Sequence, residues 1–132
     1  MAMGQGHEDE RIGRCRDICM ACPEAEMEHV QHFRFLVRGK PFAYFVINHH
    51  GDGRIAVEWR MAVEERDALL ADDLVRFFMP SYVGRYGWMG LDLDAAPVNW
   101  DEVAAYVHES YRILAPKALA RALDSNIASA SC

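Results

Sequence analysis

Cys15, Cys19 and Cys22 stand as C-x3-C-x2-C, the spacing by which radical SAM enzymes hold a 4Fe–4S cluster. A radical enzyme needs a barrel that encloses cluster, cofactor and substrate, and a chain of 132 residues lacks the strand–helix repeats to build one. The three positions also share one helical stripe with Ile12 and Ile18, where a free cysteine behaves as a small buried hydrophobe. They are therefore expected to be core thiols that hold neither metal nor cofactor.

Imidazoles are the next residues able to do chemistry, as His29-x2-His32 and His49-His50. Neither pair has the Cys, Asp or further His spacing that completes a zinc or transition-metal site, so solvated or hydrogen-bonded histidines are expected. No Ser, Cys or Thr can be placed beside a base, and Gly84, Gly87 and Gly90 fit neither a nucleophile elbow nor a phosphate loop. Asp92 and Asp94 alternate outward on a strand pattern. No catalytic constellation emerges, and the chain is not expected to be an enzyme.

A cationic, aromatic region remains. Arg34, Arg38, Lys40, Arg54 and Arg60 crowd one hairpin stretch, and Tyr82, Arg85, Tyr86 and Trp88 follow near the next strand. Arginine and lysine can meet phosphates while rings stack bases; the same mixture also suits a solvated sheet face. The net charge is −6, but its distribution matters more than its sum. Residues 1–30 carry three arginines against seven acids, residues 31–60 five bases against two acids, and residues 61–132 six bases against eleven. The hairpin stretch is the one cationic segment, so any polyanion contact should be weak and salt-sensitive.

These residues must be positioned by elements that periodicity locates. The stripe from Glu8 to Cys22 makes an amphipathic helix ended by Pro23. His32 to Val37 alternates as a strand with Phe33, Phe35 and Val37 on one face, Arg38-Gly39-Lys40-Pro41 turns, and Phe42 to Ile47 returns as a central strand. After the glycine-bearing loop at residues 48–53, Arg54 to Trp59 forms a third strand, which argues an antiparallel meander. Ala62 to Ala71 has helix composition, Leu74 to Met79 is a candidate extended stretch, and Trp88 to Leu93 is a fourth strand. Asn99 followed by Glu102 caps a helix carrying Val103, Val107, Ser110, Tyr111 and Leu114. Pro116 interrupts it, and Lys117 to Leu123 makes a short last helix.

The pattern predicts an α+β fold: a single two-layer domain over 8–123, with a mainly antiparallel sheet of four or five strands, helices on one face, and flexible termini at 1–7 and 124–132. Phe33, Phe35, Tyr44, Val46, Ile55, Val57, Val103, Val107 and Leu114 are the expected core. The apolar share of 52% suits a globular chain. The start lacks a secretory signal, and the longest apolar run, Pro41 to Ile47, is too short to span a bilayer. A cytoplasmic monomer or small homo-oligomer without membrane contact is expected.

Six stretches in order carry a family resemblance: Cys22-Pro23-Glu24, Phe33-Arg34-Phe35-Leu36-Val37, Gly39-Lys40-Pro41-Phe42-Ala43, Pro80-Ser81-Tyr82-Val83-Gly84, Gly87-Trp88-Met89 and Ser110-Tyr111-Arg112. From about Glu8 to Leu123 the chain resembles the MmcQ/YjbR family. The resemblance implies a frataxin-like (CyaY-like) α+β fold and, from the family's usual DNA-binding label, a role for Arg34, Lys40 and Trp88. Two functions stay open. A module contacting DNA or RNA would use Arg34, Arg38, Lys40, Arg54, Arg85 and Trp88 as one positive face. A small-molecule or metal-binding domain would instead show an apolar pocket near Trp59 and Trp88 with His29 or His32 pointing in.

Overall fold

Helix α1 (Glu10–Met20) turns Ile12, Cys15 and Cys19 inward, the three- and four-residue spacing that lays one stripe against a core. The computed structural model describes residues 10–29, 32–47, 55–80 and 87–130. Within these, α1 is followed by β1 (Ala25–His29), β2 (Phe33–Val37), β3 (Lys40–Ile47), β4 (Ile55–Arg60), α2 (Val63–Asp72), β5 (Phe77–Phe78), β6 (Trp88–Asp92), α3 (Trp100–Leu114) and α4 (Lys117–Ala130). The described strands form one antiparallel sheet in the order β1-β2-β3-β4-β6-β5. This is the expected α+β meander with six strands rather than four or five.

The two extra strands are the sheet's edges. β1 reads Ala-Glu-Met-Glu-His, all but its first residue exposed, so it carries no apolar alternation by which to be recognised. It exists because the chain folds back after α1, in a turn where Ala25 N–H donates to the Cys22 carbonyl. The helix stops at Met20, short of Cys22, yet that turn still delivers Cys22 to the core. β5 has two residues, too few to show any period.

The β2–β3 hairpin closes at Arg38-Gly39, both at positive φ, with Val37 opposite Lys40. Positive φ at both turn residues matches the right-handed twist of the flanking strands, and Gly39 adopts it without steric cost. Beyond the turn the register slips: Leu36 faces Pro41 while Phe35 faces Ala43, leaving Phe42 as an extra residue on β3. That bulge reassigns the faces of β3. Phe42 and Phe45 join the helix-side core, whereas Tyr44 and Val46, expected there, lie on the opposite face, Tyr44 only half-buried. Ile55 and Leu114 are partly buried against the core, and Phe33, Phe35, Val57, Val103 and Val107 lie within it.

Helix α3 begins as the sequence suggests, with Asn99 Oδ1 accepting from the N–H groups of Asp101 and Glu102 at 3.0 and 3.2 Å. Its Val103, Val107 and Tyr111 meet Phe42, Phe45, Val57 and Trp59 in one apolar cluster with Ile12, Cys15 and Cys19 of α1. Helix α4 continues past Leu123 to Ala130, because Leu123 and Ile127 extend its inward stripe. By contrast α2 buries Arg66 alone, and its acids crowd the surface. No described helix is long and apolar enough to cross a membrane.

Candidate functional site

The arginines of the hairpin do not stand as an open cationic face. Arg34 Nε donates to Glu28 Oε1 at 3.0 Å, and Arg38 clasps Glu24 through Nε and a terminal nitrogen at 2.6 and 3.2 Å. Both acids come from β1 or the turn before it, which the register sets directly beside β2. The Arg38 guanidinium holds the Glu24 carboxyl below the usual carboxylate range, and Glu28 raises the Arg34 guanidinium in turn. Lys40 is exposed at the start of β3. Arg54, Arg85, Tyr82, Tyr86, His49 and His50 fall outside the described residues.

Trp88 is 8% exposed, its ring 5.2 Å from that of Tyr44. With Leu36, Val46 and Ala56 it is buried outside the helix-side cluster, so the far face of the sheet carries its own apolar layer. Trp59 lies on the helix side, so the two tryptophans occupy opposite faces of the sheet. His29 is exposed and stacks on Phe33 at 4.0 Å. Among the described residues no three His, Cys, Asp or Glu side chains converge as metal ligands would.

The three thiols of the N-terminal cluster are free and buried. Burial, then a hydrogen bond with Cys15, pushes the Cys19 thiol well above its ordinary value; burial raises Cys22 to about 12, against the pull of Arg112. All three are closed off by burial, and Cys19 and Cys22 hold little of the reactive thiolate, so these groups should be inert. In a Cys132→Ser variant at pH 8, Ellman's reagent is expected to label none of the three within minutes and all three in guanidinium chloride. One fast-reacting equivalent in the folded protein would overturn this.

Between α2 and α3 the surface carries an open groove of about 620 Å³, lined by Met61, Glu65, Ala68, Leu69, Asp72, Tyr106 and Glu109. It arises from the weak packing of α2. Glu65, Ala68, Leu69 and Asp72 fall at i, i+3, i+4 and i+7 on that helix, one stripe that faces α3 across a gap. Tyr106 is fixed from beneath: its ring stacks on Trp59 at 4.6 Å and 9°, and its hydroxyl donates to Glu102 Oε2 at 3.1 Å. Glu102 also accepts from Arg76 at 2.9 Å, and Arg76 holds Asp73 at 2.7 Å, which locks the end of α2 to α3. Burial, then the neighbouring Glu65, raises the Glu109 carboxyl. None of the groove's seven lining residues is singled out as a site residue by the sequence, because the groove is assembled from two helices far apart in the chain.

Ser81 to Gly84 lie outside the described residues; the other stretches that carry the family resemblance map onto scaffolding. Ser110 Oγ donates to the Phe42 carbonyl at 2.6 Å and accepts from Arg60 N–H at 3.0 Å, and Tyr111 Oη donates to the Pro23 carbonyl at 2.6 Å. Arg112 bonds Asp124 of α4 at 2.8 Å, and the Gly87 carbonyl accepts from Met61 N–H at 2.9 Å. Such residues specify a fold. Two solved structures share it: a Deinococcus radiodurans protein, DR2400, described by the family-model domain DUF419, with 15% identity and a TM-score of 0.68 over 86% of this chain and 87% of that one; and a Pseudomonas syringae protein with 13% identity and a TM-score of 0.60 over 74% and 92%. No curated protein matches. The YjbR family model matches residues 20–113, which takes in every described strand and all but the last residue of the capped helix α3, and the chain therefore belongs to the YjbR family.

Proposed function

We propose that this YjbR-family domain is a non-catalytic binding module whose ligand is a small molecule seated in the groove between α2 and α3. The groove carries the reading. Its volume of about 620 Å³ is in the range of ligand clefts, and its floor of Met61, Leu69 and Tyr106 is apolar while its rim is polar. The Trp59–Tyr106 stack makes that floor rigid. The nucleic-acid reading is the weaker one, because Glu28 and Glu24 occupy Arg34 and Arg38, and because Trp88 is too buried to offer a face to a base.

Amide NMR of the full chain tests both. A panel of small aromatic and aliphatic fragments is expected to shift Leu69, Tyr106 and Glu109 saturably. Single-stranded and duplex DNA at 0.15 M salt are expected to leave residues 33–40 unmoved, and an Arg34→Ala/Lys40→Ala double variant to behave as the parent does. A silent groove, or DNA binding whose salt slope drops by about two in the double variant, would overturn the proposal.

A further inference from the structure

The groove has a charge pattern as well as a volume. Three of its seven lining residues are acids and none is basic. Glu65 and Glu109 meet at one end, while Asp72 stands two turns further along α2. Seven residues of helix separate Glu65 from Asp72, about 10 Å along the axis. Ala68 and Leu69 lie between them, facing Met61 and Tyr106. The arrangement is therefore an apolar trough with an anionic pole at each end.

From this we infer that the ligand is an aliphatic diamine or polyamine, with ammonium groups about 10 Å apart joined by a methylene chain. This rests on the groove being the binding site. Each ammonium would meet a carboxylate pole, and the chain between would cover the partly exposed Leu69, whose contact with water costs free energy in the empty groove. The Tyr106 ring supplies an aromatic wall that an alkylammonium is attracted to. At the Glu65–Glu109 end the incoming cation would sit beside two neighbouring carboxyl groups and offset the like charge between them. An anionic ligand is disfavoured by the same three acids, and a neutral one leaves both poles unused.

Spermidine and 1,8-diaminooctane, each titrated into labelled full-length protein, test this against 1,8-octanediol, a neutral molecule of the same length. The diamine and spermidine are expected to shift the amides of Leu69, Asp72 and Glu109 saturably with a Kd below about 1 mM, and octanediol to bind roughly tenfold more weakly. Glu65→Gln combined with Asp72→Asn should weaken the diamine roughly tenfold and leave octanediol unchanged. Both positions are exposed, and the unchanged octanediol response reports an intact groove. Octanediol binding as tightly as the diamine would overturn the cation assignment and leave the groove as a binding site. Diamine shifts that spread over all surface acids without saturating would also overturn it. No ligand moving the groove would remove both this inference and the reading beneath it.

Discussion

Replacing Ser110 by alanine is expected to destabilise the protein by about 2–4 kcal/mol, because it strands two backbone groups at once. The hydroxyl lies where β3 and β4 part. Ala43 still pairs with Trp59, but the bulge pulls Phe42 out of register, so the Phe42 carbonyl and the Arg60 N–H do not bond each other directly. Ser110 Oγ is inserted between them, donating to one and accepting from the other, and is fully buried. Alanine removes both bonds. The prediction is read from urea unfolding, as a lower midpoint with an unchanged slope. A loss below 1 kcal/mol would mean that Phe42 and Arg60 find each other once the hydroxyl is gone.

Trp59→Ala is expected to cost more, about 3–5 kcal/mol, out of a total stability of roughly 5–15 kcal/mol. The side chain is fully buried, stacked on Tyr106 and edge-on to Phe77. Its loss should also release Tyr106, so fragment or diamine shifts in the groove should weaken with it. Trp59→Phe separates the two effects. Trp59 Nε1 has no hydrogen-bond partner among the described residues, and an unsatisfied buried donor costs about 1–3 kcal/mol. Phenylalanine gives up area but removes that donor, so its net cost is expected to stay within about 1.5 kcal/mol. Chemical denaturation of both variants checks the pair. A phenylalanine variant as damaged as the alanine one would show that the indole donor carries no penalty.

Much of the fold is legible where burial imposes a period. Ile12, Cys15 and Cys19 mark α1; Phe33 and Phe35 mark β2; and Asn99 with Val103 and Val107 marks α3, cap included. β1 is illegible because an exposed edge strand has no need of alternation, and its pairing with β2 rests on backbone bonds that any residue supplies. The bulge at Phe42 is illegible too. One inserted residue exchanges the two faces, which is why Tyr44 and Val46 were expected in the wrong layer. The candidate sites follow the same division. Arg34 and Arg38 read as a cationic patch from the chain alone, since the glutamates that neutralise them belong to a strand with no sequence signal and to the turn before it. The groove depends on a helix that packs poorly and on Tyr106, a residue that any amphipathic helix could carry.

The edges of the sheet bear on how this chain behaves in a crowded cell. An unpaired outer strand is a template on which another chain can polymerise, and natural sheets protect such strands with charge or by making them short. β1 bears Glu26 and Glu28, and β5 at the opposite margin has two residues, with the turn before it locked by Arg76 to Asp73 and Glu102. A second copy adding itself along β1 in antiparallel fashion would bring carboxylates against carboxylates, and along β5 it would find almost no backbone to pair with. The strand that carries no sequence signal is thus also the guard against fibre growth, and replacing Glu26 and Glu28 by valine would turn a silent margin into an adhesive one.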